Sequence, residues 1–368
     1  MYCYIIIILK SEQKVKTKER TGEMKVTDIK IFTVDAFRTN WVFVKVYTDE
    51  GISGVGEATL EYKEKALLGA AEHIKDYLIG KNPLEIEKHW STIYRDAYWR
   101  GGAVLMSALS AVETALWDIL GKFLNVPVYQ LLGGKTRDSV RIYANGWFAG
   151  AKTSEEFGEK AKIAVGRGII ALKWDPFGKN FMNISNKELS EALSCVAAVR
   201  EAVGDEVDLL IEGHGRFNIP TAVKIAKELE PFKPMFFEEP VPPDNLDALK
   251  EVKDRSPVAI SAGERLYTRW DYDAFFSKLP ADFIQPDVSH AGGIAELKKI
   301  AAIAESKYIP FAPHNPSGPV ANAATLQLAA CCPNFCILEI MYSDVDYRKE
   351  ITNEHLTFKD GCIEIPDK

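Results

Sequence analysis

Paired cysteine spacings, a long apolar run near the start and an excess of positive charge are all missing from this 368-residue sequence. Its six cysteines (Cys3, Cys195, Cys331, Cys332, Cys336 and Cys362) form no CxxC and no paired framework. They read as reduced thiols of a cytoplasmic protein. Cys331, Cys332 and Cys336 cluster, yet no further ligands stand at the spacing of a structural zinc site. The apolar run Tyr4 to Leu9 is six residues long, where a membrane span needs about 20. No basic segment precedes it, so it is a poor signal peptide. The net charge of −7 excludes the clustered Lys and Arg of a nucleic-acid surface and does not suit an anionic membrane. Gly54-Val55-Gly56-Glu57 and Gly133-Gly134-Lys135 match neither dinucleotide-binding nor Walker spacing. An anionic substrate would therefore have to be met by a local device such as a metal ion.

What is present is enough apolar residue, 47%, for an ordinary globular core, and enough chain for about two domains of roughly 150 residues. Residues 1–23 read as a disordered extension, or as a start assigned too early with Met24 as the natural first residue. From Met24 the sequence alternates apolar and polar positions over Val26 to Phe32 and Trp41 to Thr48, as half-buried antiparallel strands do. Asp49-Glu50-Gly51 turns the chain into Ile52 to Glu57. Leu105, Leu109, Val112, Leu116, Ile119 and Leu120 then share one helical face. The expected first domain is an α+β module over 24–133.

After Gly134 the grammar changes. Eight short apolar runs (Val140 to Trp147, Ile169 to Trp174, Val207 to Glu212, Met235 to Glu238, Val258 to Ser261, Phe283 to Gln285, Tyr308 to Ala312 and Phe335 to Leu338) alternate with amphipathic segments. Buried parallel strands separated by helices have this pattern. Eight units in just over 200 residues predict a TIM-type barrel over 134–345 with one helix missing or altered, an open doubly wound sheet being the runner-up. Residues 346–368 are expected to return toward the first domain.

The polar residues that end these runs carry the chemistry. They are Lys173-Trp174-Asp175, Glu212-Gly213-His214, Glu238-Glu239-Pro240, Gly263-Glu264-Arg265, Gln285-Pro286-Asp287, Pro313-His314-Asn315 and Glu339. In a barrel all of them converge on the C-terminal mouth. Glu212, Glu238 and Glu264 stand 26 residues apart on three neighbouring strands. Three carboxylates held together repel one another unless a cation neutralises them. Their all-oxygen donor set suits Mg²⁺, and no Cys or His accompanies them to favour zinc. Asp287 and His314 end adjacent strands, so the carboxylate can take the Nδ1–H and leave Nε2 as a base. His214, two residues beyond Glu212, would stand on the other side of the metal as an acid. His290 reads as a loop or packing residue, and His73, His89 and His355 as structural or exposed.

At these residues the sequence resembles the mandelate racemase-like branch of the enolase superfamily, and within it the galactonate and gluconate type of acid-sugar dehydratase. The carriers, spanning Met24 to Glu339, are Tyr98-Trp99-Arg100-Gly101-Gly102, Ala115-Leu116-Trp117-Asp118, Leu131-Leu132-Gly133-Gly134, Gly213-His214-Gly215-Arg216, Phe237-Glu238-Glu239-Pro240, Gln285-Pro286-Asp287-Val288-Ser289-His290-Ala291-Gly292-Gly293 and Ala312-Pro313-His314. The resemblance implies an α+β capping domain over a modified (β/α)₇β barrel. It implies Mg²⁺ on Glu212, Glu238 and Glu264, a His314–Asp287 base pair, and His214 as the acid that expels the 3-hydroxyl. Glu339 would hydrogen-bond the substrate carboxylate or the enediolate, with Lys173 nearby. The product would be a 2-keto-3-deoxy acid. Sites of this superfamily work with a Lys or His base and one or two Mg²⁺ ions that stabilise the enediolate.

Three departures matter. Glu212 replaces the usual Asp as first ligand. Asp175 replaces the second Lys of the racemase Lys-x-Lys, which removes one of two bases and favours dehydration over epimerisation. Relatives of this kind also continue beyond the last strand, whereas this sequence stops at Lys368, which is expected to loosen the contacts between domains. Epimerisation or cycloisomerisation of a carboxylate, and a non-catalytic metal-binding protein on the same fold, are the alternatives. Specificity is expected from the loops Ala36 to Trp41 and Arg95 to Gly102, and from Tyr143, Asn145 and Trp147. Arg216 and Asn315 are candidate hydroxyl or carboxylate contacts, or stand behind such contacts, and Asp175 would contact the substrate or a neighbouring cation. The expected partners are a small sugar acid and further copies of the chain, in a dimer or an octamer.

Overall fold

A computed structural model describes residues 23–36, 38–96, 98–353 and 356–367. The expectations for residues 1–22 and for His355 lie outside the described residues. The first domain opens with an antiparallel sheet in the order β1 (Val26–Asp35), β2 (Asn40–Thr48), β3 (Ser53–Glu57). It is followed by α1 (Glu64–Leu78), α2 (Ile86–Arg95) and α3 (Ala103–Leu124).

β2 is buried along most of its length instead of alternating. Val42, Val44 and Val46 face α1 and α3 in one core, while Trp41 and Phe43 join a second cluster with Ile351 from the C-terminal region. Covering both faces of a strand removes the period-2 pattern. β3 is close to α3 because it carries glycine: a Cβ at Gly54 or Gly56 would lie 1.9 or 1.8 Å from the carbonyl oxygens of Ala115 and Ala111. Gly54-Val55-Gly56 is thus a packing device. Among the described residues α3 is the one helix long and apolar enough to cross a membrane, and most of it is core.

A single helical turn, α4 (Val128–Leu131), leads to the second domain. Its units are β4 (Ser139–Asn145), α5 (Ser154–Gly166), β5 (Ala171–Trp174), α6 (Asn186–Val203), β6 (Asp208–Glu212), α7 (Ile219–Leu229), β7 (Phe236–Glu238), α8 (Leu246–Arg255), β8 (Ile260–Ala262), α9 (Arg269–Lys278), β9 (Phe283–Ile284), α10 (Ile294–Glu305), α11 (Pro319–Cys331) and β10 (Leu338–Met341). β4 to β9 pair in parallel, each with its successor, and β10 pairs in parallel with β4.

The seventh expected strand differs most from expectation. Tyr308 is exposed at φ 58°, and Phe311 alone bridges Ile284 on one side and Phe335 on the other. Pro310 and Pro313 flank it. Neither has an N–H to give, so a regular ladder cannot extend. The eighth run begins its pairing with β4 at Leu338, three residues later than its expected start. The hydrogen bonds still pass from β9 through Phe311 to Asn334 and Cys336, and the chain then runs into β10 beside β4.

The C-terminal region follows two surfaces. α12 (Val345–Ile351) packs on Trp41 and Phe43, and the Tyr347 hydroxyl donates to the Asp35 carbonyl at 2.8 Å. The hairpin β11 (Phe358–Lys359) and β12 (Cys362–Glu364) then adds antiparallel to Ser139–Arg141 of β4.

Candidate active site

Adjacent parallel strands bring Glu212 opposite Glu238. Glu264 follows β8, and one carboxylate oxygen from each of Glu212, Glu238 and Glu264 lies within 4.8 Å of the others. Glu212 and Glu238 are buried. Lys173, 2% exposed, reaches into the cluster from β5: its Nζ is 2.6 Å from Glu238 Oε1, 3.0 Å from Glu212 Oε2 and 3.3 Å from Glu339 Oε1. Lys173, expected near a substrate carboxylate, is here enclosed by three glutamates.

Burial acts to raise the Glu212 carboxyl, and Lys173 and His214 outweigh it, holding it at about 2. Glu238 goes the other way. Burial and the neighbouring Glu212 charge push it well above the carboxylate range, against Lys173. The two adjacent buried carboxyls are thus pushed in opposite directions. Glu238 Oε2 is buried without a hydrogen-bond partner. A buried acceptor without a donor, beside two further carboxylate oxygens, fits a hard divalent cation. These three residues could hold a metal ion.

Glu339, on β10, accepts from Asn145 Nδ2 at 2.8 Å and from the Asn315 backbone N–H at 3.1 Å. His314 is half-buried between carboxylates. Its Nδ1 is 2.8 Å from Asp287 Oδ2, and its Nε2 is 3.2 Å from Glu264 Oε2 and 3.8 Å from Glu339 Oε2. Burial acts to lower the imidazole, and Glu264, Glu339 and Asp287 together override it, raising His314 to about 10. Asp287 Oδ1 also accepts the Ser289 backbone N–H, which fixes the carboxylate plane.

His214, two residues beyond Glu212, is exposed. Its φ of 49° puts it in the left-handed region, between Gly213 and Gly215. A Cβ at Gly213 would come within 2.9 Å of the Glu239 carbonyl oxygen, so the sharp turn after β6 needs glycine there. The turn aims His214 Nδ1 at Asp175 Oδ2, 2.6 Å away, and the same oxygen receives Arg216 Nη2 at 2.5 Å. Arg216 also donates to the carbonyls of Gly213 and Gly178. Asp175, expected on the substrate or on a neighbouring cation, bonds the Arg216 cation and His214, and Arg216 stands behind His214.

Asn315 differs from expectation as well. It is fully buried, with Nδ2 donating to Thr325 at 2.7 Å and Oδ1 accepting from Asn322 at 2.8 Å. It braces the segment after His314. Tyr143 is buried beside Phe236 inside the barrel, and Trp147 is buried with its indole N–H on the Lys173 carbonyl. Neither lines an open mouth. In the two capping-domain loops, Arg38 donates to the Pro316 carbonyl at 2.9 Å, while Tyr98 and Trp99 are exposed. His290 bonds Ser107 of α3 through Nδ1 at 2.7 Å.

One pair escaped sequence reasoning. Glu239 is buried against Arg265, and burial with the nearby Glu264 pushes its carboxyl up to about 8 against the guanidinium. Its only sequence signal was a second glutamate beside Glu238.

Residues 156–368 match the enolase C-terminal domain-like family, and residues 15–133 match the mandelate racemase/muconate lactonizing enzyme N-terminal domain. The chain belongs to the enolase superfamily, in its mandelate racemase-like branch. It is 38% identical over 329 residues to a D-galactonate dehydratase of Pectobacterium atrosepticum, covering 89% of this chain and 84% of that protein. It is 37% identical over 327 residues to a D-gluconate dehydratase of Thermoproteus tenax, covering 88% of this chain and 66% of that protein. A crystal structure of an enolase-superfamily member from Salmonella Typhimurium superposes with a TM-score of 0.89 at 32% identity, covering 94% of each chain. A mandelate racemase/muconate lactonizing enzyme-like protein from Rubrobacter xylanophilus gives 0.86 at 36% identity, also covering 94% of each.

Proposed function

We propose that this protein is a hydro-lyase that converts an aldonate, such as galactonate, gluconate or arabinonate, into a 2-keto-3-deoxy acid. The observation that carries this reading is a pair of carboxylate–imidazole couples, Asp287–His314 and Asp175–His214, around one three-glutamate cluster. The relatives named as galactonate and gluconate dehydratases support it.

A divalent cation on Glu212, Glu238 and Glu264, with Mg²⁺ the ion suited to their oxygen donors, supplies positive charge where proton loss adds negative charge to a substrate carboxylate. His314 takes the α-proton at Nε2, its Nδ1–H being committed to Asp287. Lys173, buried among Glu212, Glu238 and Glu339, offsets their charge. Glu339 stays oriented by Asn145 and the Asn315 N–H. His214, held at Nδ1 by Asp175, presents Nε2 to the β-hydroxyl and gives it a proton. The α C–H and β C–O bonds break, a C=C bond forms, and water leaves. The enol then takes up a proton at carbon and becomes the ketone. A two-base epimerisation lacks its second base, because Asp175 is engaged with His214 and Arg216.

The test is formation of 2-keto-3-deoxy acids from a panel of aldonic acids, with Mg²⁺ and with EDTA. Metal-dependent product from one or a few acids supports the reading. No product from any acid, with metal bound, overturns it.

A further inference from the structure

Five helices of the barrel cap their own N-termini. Thr153, Ser185, Asn218, Asn245 and Thr268 each accept a backbone N–H of the helix they precede, α5 to α9. The next two do not. α10 follows Gly293 and α11 follows Gly318, and neither glycine has a side chain to offer.

Their first N–H groups are satisfied from the other domain. Glu113 of α3 accepts from Ile294 at Oε2 (2.7 Å) and from Ala295 at Oε1 (2.9 Å), while Trp117 Nε1 donates to Oε1. Glu57 of β3 accepts from Gly318 at Oε1 (2.5 Å) and from Val320 and Ala321 at Oε2 (3.1 and 2.9 Å), with Thr59 donating to Oε1. Both glutamates are buried. The glycines admit them: a Cβ at Gly293 would lie 2.2 Å from Glu113 Oε2, and one at Gly318 2.7 Å from Glu57 Oε1.

These two helices are the ones that follow the base pair. Asp287 is six residues before Gly293, and His314 is four before Gly318. The intervening segments are pinned by the same domain. Ser110 accepts the Gly292 N–H at 2.8 Å, Trp90 donates to the Gly292 carbonyl at 2.9 Å, and Arg38 donates to the Pro316 carbonyl. A carboxylate at a helix N-terminus is favoured by the dipole as well as by the N–H groups. We propose that Glu57 and Glu113 are positioning residues, and that docking of the capping domain sets the His314–Asp287 geometry through caps supplied from outside the barrel. The proposal rests on reading that pair as the base.

Glu113→Gln and Glu57→Gln test it, with Glu87→Gln as control, since Glu87 makes an exposed ion pair between α2 and Lys299. Gln has one acceptor oxygen where two are used, and sets an NH₂ against helix N–H donors. Each of the two buried substitutions should lower kcat about tenfold with KM within about twofold. Each should also shift or abolish the low-field proton resonance of His314 Nδ1–H, assigned by its loss in His314→Asn. Amide exchange over 288–297 (Glu113) or 313–322 (Glu57) should speed up. The control should change none of these. Where Glu113→Gln does not fold, Ser110→Ala frees the Gly292 N–H and should give the same pattern more weakly. Unchanged resonance, exchange and kcat in folded variants overturn the proposal. If the wild type turns over no sugar acid, the functional reading fails, and the resonance and amide exchange still decide the positioning.

Discussion

Asp175 Oδ2 receives His214 Nδ1 at 2.6 Å and Arg216 Nη2 at 2.5 Å, so the residue that stands in place of a second base anchors His214, the proposed acid. Glu212 also ties to this group, accepting the His214 backbone N–H at 2.7 Å. Asp175→Asn keeps the size and an acceptor but removes the charge. It should reduce dehydration by about 10 to 100-fold, the usual cost of losing the partner that orients an imidazole. Exchange of the α-proton with solvent deuterium should persist, because His314 is untouched. Product formation and deuterium incorporation, measured together, separate the two steps. Equal loss of both would place Asp175 in substrate binding instead.

His314→Asn should remove both steps. General base catalysis contributes about 10² to 10⁴-fold. Among the described residues no other imidazole reaches the Asp287 side except His290, whose Nδ1 is engaged by Ser107. Turnover and α-proton exchange should both drop by at least about 100-fold, with the fold intact by circular dichroism. Retained exchange would assign the base elsewhere.

Much of this site was legible from strand ends. Glu212, Glu238 and Glu264 were visible as a set because they recur at an even spacing of 26 residues, at or just past three successive strand ends. The seventh strand was misplaced because Ile309 and Phe311 read as apolar β, while Pro310 and Pro313 remove the donors that a ladder needs. Asn315 looked like a ligand by type and place, and its burial against Thr325 and Asn322 follows from α11 packing, which no local pattern encodes. The Asp175–His214 bond joins residues 39 positions apart. It depends on β5 lying beside β6, so it required the fold. The same holds for Glu57 and Glu113, whose partners lie in another domain.

Metal binding should release protons. In the cluster Glu238 is raised well above its ordinary range by burial and Glu212, and His314 is raised to about 10 against burial by Glu264, Glu339 and Asp287. His314 therefore carries a proton at neutral pH, and a dication at Glu212, Glu238 and Glu264 opposes protons on both groups. Because binding favours the deprotonated forms, affinity rises with pH up to about 10 and falls in acid. Calorimetry of Mg²⁺ binding in buffers of different ionisation heat should show net proton release at pH 7. Affinity independent of pH would remove the coupling.

Lys173→Met tests what holds the carboxylates together in the absence of metal. Its ammonium is within 3.3 Å of Glu212, Glu238 and Glu339, all buried. Met fills a similar length without charge, and the glutamates are left to repel one another. Breaking a buried ion pair from one side costs roughly 3–5 kcal/mol, so the thermal midpoint in EDTA should fall by several degrees. A divalent cation replaces the missing charge and should raise that midpoint more in the variant than in the wild type. The comparison separates two roles. If Lys173 only contacted substrate, its loss would lower turnover while leaving the EDTA midpoint and the metal-induced rise as they are in the wild type.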